Sequence, residues 1–335
     1  MNSVEIIAEI AQAHDGSLGI AHSYIDALVG SGVNTIKFQM HIAESESSEF
    51  EQFRVNFSYE DKTRYDYWDR MGFTLEQWQG LKLHCEDKNF RFLCSPFSMQ
   101  AVDWLERLNV ERYKIASGEM YNFPMLEKIC KTGKPILLSS GMSSYADIME
   151  TIDFIHKYEG VFDGIFQCTT AYPTPPEKYG LNVIQELKKI LHCKVGLSDH
   201  SGEIYSALAS VALGAEMLEL HVVFDKSMFG PDAKSSLTIQ EFKALSDGVS
   251  KISKALNHPV DKNQTEEFKD LKIMFGKSLA LKRDLKFGTI VSLADLETKK
   301  PGNIGIPASE YKNIIGKKIN KDISSGSFLN YIDID

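Results

Sequence analysis

Two histidines, His200 and His221, each sit at the end of a short apolar run, Val-Gly-Leu-Ser-Asp-His and Met-Leu-Glu-Leu-His. Imidazoles at the ends of neighbouring strands can grip one divalent cation and leave further positions to water and substrate. Glu219 is two residues before His221, hence on the same strand face, and serves either as a third ligand or as an orienter of the imidazole. The competing reading makes each histidine a hydrogen-bonded rim residue, and spacing alone slightly favours it. Glu9 and Glu219 on the same rim turn the balance toward a metal.

A second group is cationic. Lys37 and Lys114 end two other apolar runs, with the hydroxyls of Ser117, Ser139 and Ser198 at comparable positions. Lysines that point inward are costly unless paired. A phosphate and a carboxylate on a substrate would pair them and accept hydrogen bonds from the hydroxyls. A structural network with Glu9 and Glu119 is the bland alternative, and a Schiff-base role for Lys114 is the mechanistic one. "HDG" at His14, Asp15 and Gly16 reads as a tight turn. Tyr172-Pro173-Thr174-Pro175-Pro176 reads as a rigid loop.

Positioning these residues takes eight strands. Runs rich in β-branched residues recur at 6–11, 35–40, 92–97, 112–117, 135–140, 164–169, 194–199 and 217–222. Segments with helical spacing lie between them, at 20–30, 74–88, 99–108, 145–157, 183–191 and 202–213. Buried strands alternating with helices predict an α/β fold, a (β/α)₈ TIM barrel. A doubly wound open sheet would need two protected edge strands, and none is visible. The polar ends of the runs agree with a barrel, whose active sites collect at the C-terminal rim. Segment 41–72 is too long for an ordinary βα loop. It begins acidic (Glu44, Glu46, Glu49, Glu51) and ends aromatic and basic (Arg64, Tyr65, Tyr67, Trp68, Arg70). It reads as an active-site cover, a subunit contact or a surface excursion.

After Glu241 a long polar helix runs to about Leu256. Residues 1–256 form the catalytic barrel in this reading, 257–277 a charged linker, and 278–335 a small β-rich domain with glycine turns. Asp284–Gly288 and Asp322–Gly326 look like two related turns. The 335 residues suffice for this plan, with 43% hydrophobic and 25% charged residues. The net charge of -9 and the lack of a Lys/Arg run argue against nucleic acid and anionic membrane as partners. Five cysteines without a CxxC pair predict free thiols in a reducing compartment. The start of the chain lacks a basic n-region, and no apolar run nears the ~20 residues that span a bilayer. The expectation is a cytoplasmic protein.

As a set, these motifs resemble the N-acetylneuraminate (sialic acid) synthases and their legionaminic and pseudaminic acid relatives. They are "IAEIAQAHDGS", "TIKFQMHIAE", "FLCSPFS", "YKIASGE", "KPILLSSGMSS", "CTTAYPTPPE", "VGLSDHS" and "GAEMLELHVVFDK", and they occur in order along the barrel runs. The tail resembles their C-terminal antifreeze-like (SAF) domain, a β-clip. The resemblance implies condensation of phosphoenolpyruvate with an N-acetylated hexosamine aldehyde, N-acetylmannosamine or a diacetamido-trideoxyhexose. It also implies a divalent ion, Mn²⁺ first and Mg²⁺ or Co²⁺ as alternatives. The expected assembly is a domain-swapped homodimer in which one subunit's SAF domain caps the other's barrel. By motif, His200 and His221 match metal ligands. Lys37, Lys114, Ser117, Ser139 and Ser198 match positions around phosphoenolpyruvate, with Ser95 on the neighbouring strand end. Glu9, Gln39, Tyr172 and Asp232 match positions near sugar and metal, and Glu119 matches a catalytic carboxylate. The chain departs from the pattern at Thr170, where the sialic acid enzymes carry Asn, and at Lys300, where they carry an Arg that meets the sugar's acyl group. Lysine lacks the planar fork of a guanidinium. A Schiff-base pyruvate aldolase, a synthase for a phosphorylated sugar and a non-enzymatic binding protein are the rival readings.

Overall fold

A computed structural model describes residues 4–55 and 57–335. The leader reading at the very start of the chain rests partly on residues 1–3, outside the described set. Eight parallel strands pair in sequence order: β1 (Glu5–Glu9), β2 (Thr35–Met40), β3 (Arg91–Pro96), β4 (Tyr113–Ile115), β5 (Pro135–Ser139), β6 (Val161–Cys168), β7 (Lys194–Asp199) and β8 (Met217–Val223). β8 pairs back onto β1, so the sheet closes and the open-sheet alternative falls. A short β9 (Leu237–Thr238), not anticipated from sequence, extends beside β8.

The barrel's helices are α1 (Leu18–Ala27), α4 (Leu75–Asp87), α5 (Met99–Arg107), α6 (Phe123–Cys130), α7 (Tyr145–Lys157), α8 (Leu181–Ile190), α9 (Tyr205–Ala212) and α10 (Ile239–Asn257). Two more, α2 (Ala43–Glu46) and α3 (Arg64–Met71), lie inside the long segment after β2. Local chemistry sets several starts. Thr63, Thr74, Ser144 and Thr238 each close a capping box with the third residue of the helix they precede. α6 escaped the periodicity reading because it is only eight residues long and begins with a proline in its first turn.

Burial sorts the strand residues into two cores. Outward-facing residues such as Ile6, Ala8, Ile36 and Phe38 pack against Tyr24, Trp78 and other helix residues in the large shell between sheet and helices. Inward-facing Ile7, Leu93, Leu137, Phe166 and Met217 make a separate, fully buried plug. Gly196 lets the plug close, since a Cβ there would lie 2.6 Å from the Met217 carbonyl oxygen and 2.8 Å from the Phe166 ring. Because strand side chains alternate with period two, the next inward residues are Glu9, Ser95, Ser139, Cys168 and Glu219. The floor of the site is therefore hydrocarbon and its next level is polar.

Contacts divide the chain between His258 and Pro259. The second unit holds a 3-10 turn (Glu266–Phe268), α11 (Lys269–Phe275), α12 (Tyr311–Ile314) and one antiparallel pair, β10 (Ser278–Leu281) with β11 (Leu296–Lys299). Its core gathers Leu279, Leu281, Leu285, Val291, Ile306, Ile314, Ile319, Ile323 and Leu329. The segment read as a linker is thus partly helical. The two related turns face one another. Leu285 and Ile323 exchange backbone hydrogen bonds of 2.9 Å each way. Asp284 accepts from the Ser325 N–H at 2.7 Å, and Asp322 from the Phe287 N–H at 2.8 Å. Among the described residues all five cysteines are free, four of them buried. No described helix is long and apolar enough to cross a membrane.

Candidate active site

The C-terminal rim of the barrel encloses a cavity of about 390 Å³. Its deepest charges form one network. Lys37 is ion-paired with Glu9, and its Nζ lies 3.5 Å from Glu219 Oε1. Lys114 donates to Ser139 Oγ at 2.6 Å and to Glu219 Oε1 at 3.2 Å. Ser198 Oγ donates to the same oxygen at 3.1 Å. Burial by itself would raise the Glu219 carboxyl, but the Lys114 and Lys37 ammonium groups outweigh it and hold it well below the usual carboxylate range. Burial pulls Lys37 down to about 8 against the pull of Glu219. Two buried ammonium groups therefore balance two buried carboxylates, with serine hydroxyls beside them. Glu219 Oε2 is buried and has no hydrogen-bond partner among the described residues.

Above this level stand the two imidazoles, with ring centroids 5.3 Å apart. The His200 Nδ1 lies 3.1 Å from the Thr169 carbonyl oxygen, so Nδ1–H donates there and Nε2 keeps its lone pair for the cavity. His221 lines the cavity without a hydrogen bond to any described residue. Burial lowers both histidines, His200 to about 3, which keeps them as the neutral imidazoles that ligate metals. The pair fits a divalent ion held by two protein donors with its remaining positions open. Glu219 is not available as a third ligand through Oε1, which the lysines occupy. No cluster of three or more His, Cys, Asp or Glu among the described residues is arranged to hold an ion.

Ser117 lines the same cavity as Lys114, and Gly141 packs against its hydroxyl. The Gly141 N–H donates to Ser117 Oγ at 3.0 Å. A Cβ on Gly141 would lie 2.5 Å from Thr170 Oγ1 and 2.6 Å from Ser117 Oγ, so only glycine leaves this corner open. Glu119 follows on the 3-10 turn Ser117–Glu119. Burial raises its carboxyl despite a 2.7 Å hydrogen bond from Asn122.

At the mouth, the Tyr172 ring packs 4.2 Å from His200, and the Arg54 guanidinium lies 3.9 Å from the centre of the same ring. Arg54 also donates to Asp232 at 2.8 Å. Arg64 stacks over Trp68 at 4.2 Å and faces Glu51 at 3.4 Å.

The rim thus brings together Glu9, Lys37, Gln39, Lys114, Ser117, Glu119, Ser139, Thr170, Tyr172, Ser198, His200, His221 and Asp232. Ser95 does not reach the cavity: it faces inward but is fully buried, and its Oγ has no partner among the described residues. Lys300 belongs to the second unit, 5.0 Å from the Phe275 ring, while the cavity is lined by residues of the first. Sequence reasoning missed Gln12, His41, Arg54 and Phe97, and named Glu46, Glu51, Arg64, Tyr67 and Trp68 only as parts of a long segment. That segment is a cover: seven cavity-lining residues come from it. Its excess length was the available signal. The "HDG" turn lies outside the cavity and anchors the cover instead. Arg70 of α3 pairs with Asp15 and Asp61 at 2.8 Å each, and its carbonyl oxygen would be 2.4 Å from a Cβ on Gly16.

Known proteins share the barrel and the C-terminal domain. Residues 24–261 match the NeuB family and residues 276–334 the SAF domain. The N,N'-diacetyllegionaminic acid synthase of Campylobacter jejuni is 36% identical over 98% of this chain and 99% of its own. The human N-acetylneuraminate-9-phosphate synthase is 33% identical over 94% of this chain and 88% of its own. The crystal structure of an N-acetylneuraminic acid synthetase from Leptospira borgpetersenii, in complex with citrate, superposes with a TM-score of 0.71 at 30% identity. It covers 80% of this chain and 91% of that one.

Proposed function

This chain belongs to the NeuB family, and from that membership we propose that it condenses phosphoenolpyruvate with an uncharged N-acetylated hexosamine, giving a nonulosonic acid and phosphate. The observation that carries the reading is the buried lysine pair sharing Glu219, set directly beneath two imidazoles with free nitrogens. A divalent ion such as Mn²⁺, held by His200 and His221, would supply Lewis-acid polarisation of the sugar's aldehyde oxygen.

The chain's own residues do the rest. Lys37 and Lys114 hold the carboxylate and phosphate of phosphoenolpyruvate, with Ser117, Ser139 and Ser198 donating to their oxygens. C3 of phosphoenolpyruvate attacks the aldehyde carbon, one carbon–carbon bond forms, and the aldehyde oxygen takes a proton. Positive charge at C2 develops near Glu9. Glu119, whose carboxyl is raised by burial, handles a proton as water adds to C2. The C2–O bond to phosphate then breaks, leaving the keto acid.

Charge at the mouth favours a neutral acceptor over a phosphorylated one. Besides Lys37 and Lys114, which serve phosphoenolpyruvate, the cavity-lining cations are Arg54 and Arg64, and each already faces a carboxylate. A Schiff-base route is disfavoured because Lys114 and Lys37 are both committed as ammonium donors. The exposed apolar side chain of Met142, which lines the cavity, gives a surface for the SAF domain of a partner subunit to cover in a homodimer.

The test is an assay of phosphoenolpyruvate and Mn²⁺ against a panel of hexosamines, neutral and phosphorylated, scoring phosphate release and product mass. Turnover with a diacetamido or acetamido hexose is expected. Turnover of the phosphorylated sugar alone, or a borohydride-trapped adduct with pyruvate, would overturn the reading.

A further inference from the structure

One imidazole on the cavity wall has no role in the chemistry above. The His41 ring is clamped between Trp68, at 3.7 Å and 14°, and Phe97, at 4.3 Å and 23°. It cannot rotate without breaking both stacks. Its Nδ1 lies 2.6 Å from Glu46 Oε1, and its Nε2 lies 3.1 Å from the Gln12 amide nitrogen. A carboxylate oxygen only accepts, so Nδ1–H donates to it. Gln12 also donates to Gln39 Oε1 at 2.8 Å, which leaves the Gln39 amide nitrogen uncommitted at the cavity.

This arrangement fixes Glu46, and it leaves one atom unexplained. The Glu46 side chain is 8% exposed and lines the cavity. Its Oε2 is buried and has no hydrogen-bond partner among the described residues. A desolvated carboxylate oxygen with no donor is unfavourable, and a rigid imidazole prevents it from turning toward one. The missing donor has a natural source in the substrate. We infer that Glu46 recognises the sugar acceptor, its Oε2 taking a hydrogen bond from a hydroxyl or acylamino N–H, with His41 as the residue that positions it. The inference rests on the reaction proposed above and assigns one contact within it. It requires no cation on the ligand. A neutral polyol that carries amides offers such donors, whereas phosphoenolpyruvate in its anionic form offers none. Glu46 should therefore act on the acceptor side alone.

The experiment compares wild type, Glu46→Gln, Glu46→Asp and His41→Asn with phosphoenolpyruvate and the best acceptor from the panel. It measures kcat, both KM values and the thermal midpoint. Losing a hydrogen bond to a charged group corresponds to about 10- to 100-fold in affinity. Glu46→Gln should raise the acceptor KM by that factor, with the phosphoenolpyruvate KM within about twofold. Glu46→Asp, which withdraws the carboxylate by one methylene, should give the same split, and His41→Asn a smaller one. An acceptor KM within twofold of wild type in Glu46→Gln overturns the inference. So does a parallel rise of both KM values, which a merely structural role would produce. If the wild type makes product with no acceptor, the proposed reaction falls and this assignment with it. If the wild type turns over and only the Glu46 variants are silent on KM, the reaction stands and the assignment alone fails.

Discussion

Replacing Lys114 by methionine removes one ammonium group from the centre of the site and keeps most of its volume. Its Nζ is 3.2 Å from Glu219 Oε1, a Coulomb attraction of about 5 kcal/mol at an effective dielectric constant of about 20. Burying both charges offsets most of that. Lys37 stays 3.5 Å from the same oxygen, and Ser198 keeps its hydrogen bond, so Glu219 is not stranded. The fold should lose roughly 1–3 kcal/mol, the cost of an unpaired Ser139 hydroxyl and a weakened carboxylate. Phosphoenolpyruvate loses more, because its anionic oxygens meet one buried cation instead of two. Truncating one partner of a buried, hydrogen-bonded charge pair costs about 2–4 kcal/mol, or roughly 30- to 1,000-fold in Kd. Calorimetric titration of phosphoenolpyruvate into wild type and Lys114→Met, without acceptor, reads that ratio directly. A Kd within threefold of wild type, in a variant with a cooperative unfolding transition, would refute the assignment of Lys114 to this anion.

Gly141→Ala should lower kcat/KM for phosphoenolpyruvate at least tenfold, because the new methyl group occupies the corner between Thr170 and Ser117. Gly80→Ala, in α4 with open space around it, should instead leave kinetics unchanged and stabilise the protein by about 0.5–1 kcal/mol in urea melts. His14 predicts acid lability. Burial lowers it from 6.5 to about 3, so the unfolded chain takes up a proton below 6.5 that the folded chain refuses until about 3. Stability should fall through that window as pH drops, with the same sign from His200, and His14→Asn should show a shallower fall in denaturant midpoint between pH 7 and 5. Deleting residues 259–335 leaves the barrel with its own core. It should raise the acceptor KM far more than that of phosphoenolpyruvate, and equal effects on the two would remove the capping role.

Much of the barrel was legible in the residues because its signals are local. A strand declares itself by a run of β-branched residues, and its two-residue period assigns each side chain to a face. Glu9, Lys37, Ser139, Ser198 and Glu219 could therefore be placed on the inner rim, and His200 and His221 beside each other, without coordinates. The related turns at Asp284 and Asp322 were visible as well, because a turn needs its carboxylate and glycine in fixed order.

What required the tertiary structure was which side chains meet. Lys37 and Lys114 both turn to Glu219, across strands far apart in sequence, and no spacing rule encodes that convergence. Ser95 shares its motif pattern with Ser139 and Ser198, yet its hydroxyl is fully buried and does not line the cavity. The cover after β2 has no period, so its length could be read but not its path. Only the folded chain laid Trp68 on His41, Arg54 on Tyr172, and the Glu46 carboxylate at the cavity wall. Periodicity is a property of neighbours along the chain, and it fixes faces. Contacts between distant segments depend on how the whole barrel closes, and there the free energy of burial, summed over every element at once, decides the outcome.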